Sequence, residues 1–256
     1  MRLRSISTVA LLLAAIPVFS QQQQAQGPKP KSQKEVDALR KVQADQQAGN
    51  WNQEIQDINA VLENFADTEF KPQLLNMGMD AAMRTGDYPQ TVAWGERVVQ
   101  NEPNDITARV QLAETIANHT RENDLDKDQS VKKVNDYANK ALELLKTADT
   151  PPQGINAAQW PDYKKQLEGQ AHDALGLAAA VQKNYPKAIQ EYQTALASFP
   201  NPIIMTHMMT AYIANKQYDD AITTGDKVLA MNDAPANVKQ VAQQLKDSAT
   251  KMKGAK

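Results

Sequence analysis

Apolar positions along this chain recur at helical spacing, and they do so in pairs. In residues 169–201, GQAHDALGLAAAVQKNYPKAIQEYQTALASFPN, His172, Leu175, Gly176 and Ala179 share one face at the i, i+3, i+4, i+7 spacing of an amphipathic helix. After a short polar break, Ala188, Tyr192 and Ala195 do the same. The pattern predicts two antiparallel helices. Gly176, Ala188 and Ala195 are small enough for a close crossing, and Tyr192 fills the space between neighbouring hairpins. Pro186 suits a first helical turn, where its missing N–H has no partner to lose, and Pro200 ends the second helix.

The break between the two helices recurs. GDYPQ at Gly86 to Gln90, KNYPKA at Lys183 to Ala188 and KQYDDA at Lys216 to Ala221 are its clear copies. AGNWNQE and KDQSVKK, ahead of residues 55 and 134, are weaker ones. Trp51, Tyr88, Val131, Tyr185 and Tyr218 hold matching places. A period in the mid-thirties with occasional insertions points to an array of helical hairpins. Insertions fall near 120–130 and 150–168. The second, TPPQGINAAQWPDYKKQLEG, contains Trp160-Pro161, and a proline at a helix start predicts one lengthened helix over 161–182 with Trp160 packed at its base. An interdomain linker is the rival reading of that segment. Val238, Val241, Leu245 and Ala249 form one stripe in an otherwise charged C-terminal segment, which predicts a polar capping helix over 236–253.

Composition agrees with helices: 10 glycines, 5% aromatic residues and an abundance of Ala, Gln, Lys, Leu and Val disfavour a β-rich chain. The motifs then resemble the tetratricopeptide repeat family. The family's large residue, Leu-Gly three positions on, aromatic, then Ala, aromatic and closing Pro appear as His172, Leu175, Gly176, Ala179, Ala188, Tyr192 and Pro200, with His172 and Ala179 smaller than usual. A second copy aligns Leu74, Met77, Gly78 and Ala81 with this set, with one extra residue before Gly86 and Pro103 as the closing proline. A third shows Leu112 and Ala113, then Val134, Ala138, Ala141 and Leu142. The resemblance spans residues 32–235. It implies an all-α right-handed superhelix of about five antiparallel hairpins, an α-solenoid of tetratricopeptide type occupying 32–256.

The N-terminal 20 residues read as a signal peptide: Arg2 and Arg4, then an apolar stretch from Ile6 to Phe19, then Val18 and Ser20 at the cleavage positions. That stretch is too short for a spanning helix. The expectation is an exported product, periplasmic or secreted, with no membrane insertion after cleavage. Residues 21–31 are expected to be a flexible polar lead-in. Cleavage removes two of 28 basic residues and none of 30 acidic ones, leaving 26 against 30. So mixed and mildly acidic a chain gives no reason to expect nucleic acid. With no cysteines, thiolate metal sites and cysteine nucleophiles are excluded.

Two stretches could hold metal. MTHMM at residues 205–209 gathers soft ligands, but aligning its repeat with residues 169–201 puts Met205, Met208 and Met209 on the buried stripe of a first helix, where methionine is an adaptable filler. His207 falls on the flank. Asp124, Asp126 and Asp128 open like a calcium loop, yet Gln129 and Asn135 replace the glycine and the bidentate acid that such a loop requires. Asp128 or Ser130 would instead cap the following helix. His119, His172 and His207 are scattered, and no metalloprotease helix, phosphate loop or serine elbow occurs. No catalytic residue, cofactor or metal is assigned.

The family resemblance implies a scaffold that binds a protein or peptide in its concave groove, without catalysis. Self-association as a structural or assembly factor of the cell envelope is the alternative, and metal binding a third. In the family's superhelix the first helices line the concave side. Beside each buried stripe this chain places Leu75, Met79, Val110, Leu177, Ile203 and Ile213, with Glu114, Asn118, Asp173 and Thr210 as the polar members. The paired Lys and Asn by which some family members grip a C-terminal carboxylate are missing from that face. An apolar stripe with a polar rim suits the hydrophobic face of a partner segment.

Overall fold

The computed structural model describes residues 27–152 and 155–255; the signal segment lies outside them. Among these residues the chain is eleven α-helices with no strand: α1 (Gln33–Ala48), α2 (Trp51–Asn64), α3 (Lys71–Thr85), α4 (Tyr88–Asn101), α5 (Ile106–His119), α6 (Lys127–Leu145), α7 (Trp160–Val181), α8 (Tyr185–Ser198), α9 (Pro202–Ala214), α10 (Tyr218–Ala230) and α11 (Ala236–Gly254). No helix among them is long and apolar enough to cross a membrane. Consecutive helices pair into five hairpins, each packed on the next, and α11 closes the array against α9 and α10. This is the expected solenoid.

Local chemistry sets the helix ends. Asp87, Asp105, Asn184 and Asn201 sit at N-caps and accept a hydrogen bond from a backbone N–H of the first turn. Proline occupies the first turn of α3, α4, α7, α8 and α9. In four hairpins one residue in the left-handed region reverses the chain: Gly49, Gly86, Lys183 and Lys216, with φ between 61° and 73°. The α5–α6 connection has none and is longer.

Those left-handed residues define a common register. The seventh residue before each is where a first helix crosses its partner, and the ninth after is the partner's crossing residue. In the fourth hairpin the pair is Gly176 and Tyr192: a Cβ on Gly176 would lie 2.6 Å from Cδ1 of Tyr192. The fifth hairpin inverts the sizes, pairing Met209 with Gly225, whose Cβ would lie 2.8 Å from the methionine methyl. The second hairpin inverts them too, with Met79 against Gly95 at 3.0 Å. Val42 and Ile58 share one core cluster in the first hairpin, and Ala113 and Ala138 share another in the third. A large residue faces a glycine in three hairpins, and two aliphatic residues or two alanines face each other in the other two, because interior packing leaves no room for two large side chains.

This register corrects the second repeat. Gly86 is the left-handed turn residue itself and no extra residue precedes it, so Met79 rather than Gly78 stands at the crossing. Gly78 instead gives room to the Trp94 ring, 2.5 Å from where its Cβ would be. The MTHMM segment lies in α9 as packing material: Met208 and Met209 are buried, and half-buried Met205 packs on the Met209 cluster.

The insertions also resolve. Helix α7 starts at Trp160, whose Nε1 donates to the Ala148 carbonyl at 3.1 Å, and the ring is 4% exposed. The lengthened helix packs on both α5 and α6. KDQSVKK, expected to be a turn, lies inside α6, which begins at Lys127; neither Asp128 nor Ser130 caps it, and Asp126 at the N-cap makes no side-chain capping bond. The end of the lead-in is held in place. The Lys29 N–H donates to Glu69, Lys31 pairs with Asp67 at 2.8 Å, and the buried Glu35 carboxylate accepts from the Lys31 N–H and from Thr68 Oγ1. On the cap, Val238 and Ala249 are buried and Leu245 packs on the adjoining cluster as expected, while Val241 is 45% exposed and Ala242 is buried in its place.

Candidate functional site

Once each first helix is counted from its crossing residue, the side chains facing away from the partner helix fall into three layers. Six residues before the crossing stand Gln73, Thr107, Gln170 and Ile203; three before stand Asn76, Val110, Asp173 and Thr206; one after stand Asp80, Glu114, Leu177 and Thr210. The first layer is half-buried except for exposed Ile203, and the last runs from half-buried Glu114 and Leu177 to exposed Asp80 and Thr210. This face is mainly polar.

Its centre is a hydrogen-bonded row across three first helices. On α7, Gln170 Nε2 donates to Glu114 Oε2 of α5 at 3.2 Å. One turn along α7, the Asp173 carboxylate meets His207 Nδ1 of α9 at 2.9 Å; Asp173 is 5% exposed. The His207 ring lies tilted to Tyr192, 6.1 Å between centroids. Burial, with the Asp173 charge second, pushes the Glu114 carboxyl up to about 7. Burial raises the Tyr192 hydroxyl too, and Asp173 adds to that. The row therefore holds a carboxyl that changes charge near neutral pH, within the field of a carboxylate that is paired with an imidazole. No group of three or more His, Cys, Asp or Glu side chains among the described residues is arranged to hold a metal ion.

Expectation and structure part company on the apolar stripe. Leu75, Met79 and Val110 are at most 2% exposed and belong to the core. The sequence register that turns Leu75 and Met79 outward is one residue off; in the correct one they lie on the buried stripe of α3, and Gln73, Asn76 and Asp80 take their place on the open face. Val110 is buried because lengthened α7 packs along α5. Leu177 and Ile213 are half-buried, Leu177 against two core clusters and Ile213 against one of them. Of the six apolar candidates only Ile203 is exposed, at 47%. Among the polar candidates Asn118 and Thr210 are exposed, Glu114 is half-buried and Asp173 is buried, and the structure joins Glu114 and Asp173 in one row.

Gln170 and His207 belong to that row and lie outside the expected set of site residues. Their sequence signal is the turn: aligning GDYPQ with KNYPKA on the reversal residue places every first helix at once.

Residues 169–202 match the tetratricopeptide repeat family. Over that one repeat the chain is similar to the family. The match covers the α7–α8 hairpin, the one in which the family's Gly and Tyr stand at the crossing. No curated protein matches the chain. Among solved structures, the MamA RS-1 ArsTM double mutant is similar at 17% identity over 78% of this chain and 95% of that one, TM-score 0.51. Yeast Tom70 is similar at 13% identity over 86% of this chain, TM-score 0.53, and the chain spans 40% of Tom70. A thermophilic tetratricopeptide repeat protein of Thermus thermophilus is 18% identical over 82% of this chain and 98% of its own, TM-score 0.48. At these identities the first two show a shared fold and no more.

Proposed function

We propose that this chain is an exported, non-catalytic scaffold that holds a protein or peptide partner along the open face of its first helices. The row Gln170–Glu114 and Asp173–His207 carries the reading. It places partly desolvated, hydrogen-bonding charge on the face that does not pack within a hairpin, where a monomer gains no stability from desolvating it. Polar groups fixed in orientation by their neighbours give specificity to a partner segment, while exposed Ile203 offers apolar contact beside them.

The test replaces exposed residues beside the row. Asn118→Arg with Thr210→Arg adds bulk and charge without touching the core. Wild-type chain crosslinked in the envelope of its own cells should retain a partner that the double variant loses at least tenfold, with both melting alike. Retention of the same partner by a folded double variant would overturn the first-helix reading. Light scattering should give a monomer at all concentrations; concentration-dependent growth would favour self-association. Export predicts a mature N-terminus at Gln21, readable by N-terminal sequencing.

A further inference from the structure

We infer that the second insertion builds a separate seat on this face for a cationic side chain, arginine above all, of the bound partner. The inference rests on the scaffold reading and names the chemistry that one end of the groove selects. A cleft of about 980 Å³ opens between the start of α3, the α4–α5 connection and the wall made by residues 150–152 and 155–163. Without that insertion it would have no wall on one side. Pro72, Ile155, Trp160 and Tyr163 give it apolar and aromatic surface. Glu102 and Asp105 give it charge, and no Lys or Arg is among its lining residues.

Three observations make the seat one for a hydrogen-bond donor. Gln73 Oε1 is buried in the cleft wall and has no donor among the described residues. The Glu102 side chain is half-buried, its carboxyl raised by burial and by neighbouring Asp105, and no lysine or arginine among the described residues pairs with it. Arg109, the arginine beside the α4–α5 connection, is not among the lining residues and is already engaged: its guanidinium donates to the Pro103 carbonyl at 2.6 and 3.0 Å. Acceptors without donors beside aromatic surface suit a guanidinium, which is planar, carries five N–H groups and stacks on rings. The occupant we commit to is therefore an arginine-bearing segment with apolar flanks.

Calorimetry with short capped probes tests this. The probes are acetyl-Ala-Leu-Arg-Leu-Ala-amide and its analogues with citrulline, the uncharged isostere, or glutamate in place of arginine. Residues 21–256 should bind the arginine probe at least tenfold more tightly than either analogue, and less tightly as salt rises. Glu102→Gln and Gln73→Leu should each weaken the arginine probe about tenfold without altering the melt. The citrulline probe should be indifferent to Glu102→Gln. Equal binding of the three probes, preference for glutamate, or no binding at millimolar concentration would overturn the inference. The two readings fail separately: a partner lost by Asn118→Arg/Thr210→Arg but kept by Glu102→Gln/Gln73→Leu leaves the scaffold and removes the seat, whereas a partner kept by folded Asn118→Arg/Thr210→Arg removes the scaffold reading.

Discussion

The α7–α8 and α9–α10 hairpins meet the same packing demand in opposite ways. In α7–α8 the first helix supplies glycine and the second a tyrosine; in α9–α10 the first supplies methionine and the second a glycine. Both keep one large side chain per crossing. The family match covers residues 169–202, the first of these two solutions, while the hairpin architecture extends on both sides of it. What these two hairpins share is one large side chain against one glycine at a fixed place, and which helix supplies the glycine is free to change.

The comparison breaks most sharply if the sizes are exchanged. Tyr192→Gly alone leaves two glycines facing each other and should destabilise by about 4 kcal/mol, from lost burial and a cavity. Gly176→Met alone forces methionine into the tyrosine ring and should cost about 3 kcal/mol. Together they recreate the α9–α10 solution, so the double variant should be at least about 2 kcal/mol more stable than the sum of the singles implies, a coupling typical of residues in contact. Urea titrations of all four proteins measure it. Simple additivity would show that the two crossings are not equivalent.

The first hairpin departs from the others in charge. Glu54 occupies the place held by Ala188 in α8 and Ala221 in α10, is 1% exposed, and neither carboxylate oxygen has a partner among the described residues. Burial, then the Asp80 and Asp45 charges, pushes its carboxyl up to about 7, with Arg84 opposing. A carboxyl whose folded pKa is raised holds its proton where the unfolded chain has lost it. The Glu54 contribution is therefore most favourable below about 4.5 and falls as pH rises from there to about 7. Above 7 the loss is complete. Glu54→Gln should remove its share of that decline and gain about 2 kcal/mol at pH 8, allowing for relaxation around the charge. Glu114, on the open face, accounts for a remaining decline over the same range. Identical pH slopes for wild type and Glu54→Gln, by thermal melts from pH 4 to 8, would place the decline elsewhere.

Leu177 and Ile213 compare the open face with the core. The sequence pattern offers them as partner contacts, yet both pack against buried clusters. Leu177→Ser with Ile213→Ser should lower stability by about 2 kcal/mol, less than full burial would give, because both are only half-covered. An unchanged melt would return them to the binding face.

The hairpin count, the capping helix, lengthened α7, the packed Trp160 and the buried methionines are all legible in the sequence, because each rests on periodicity or on a proline, and both act locally. The second repeat is harder to place because Met77 and Gly78 mimic the adjacent Leu175 and Gly176 of the fourth crossing. Only the backbone turn at Gly86 distinguishes Met79 from its neighbour, and one residue of error rotates a helix by about 100°. That rotation sends Leu75 and Met79 to the wrong face. The polar row is half-legible: Glu114 and Asp173 are visible as polar residues in an apolar setting. Their link to Gln170 and His207 depends on the helices lying side by side, and the cleft depends on where an insertion folds back.

The smallest effect concerns the turns themselves. Gly49 and Gly86 adopt left-handed backbone without a side chain to clash, whereas Lys183 and Lys216 adopt it with a Cβ, at φ 61° and 62°. For a residue with a Cβ that conformation costs about 1 to 2 kcal/mol. Glycine relieves the clash but gives the unfolded chain more freedom, which returns about 0.5 to 1 kcal/mol of the gain. Lys216→Gly should therefore stabilise by about 0.5 kcal/mol, and Gly86→Lys should destabilise by about 0.5 to 1 kcal/mol, the same balance read in reverse. Lys216 is the better probe of the two lysines, since Lys183 also pairs with Glu122 of the first insertion at 2.6 Å and its loss would mix two effects. Chemical denaturation with replicate midpoints resolves a difference of this size. If Lys216→Gly instead destabilises, the lysine stem gives the turn packing that outweighs its backbone strain, and the four reversals are not interchangeable.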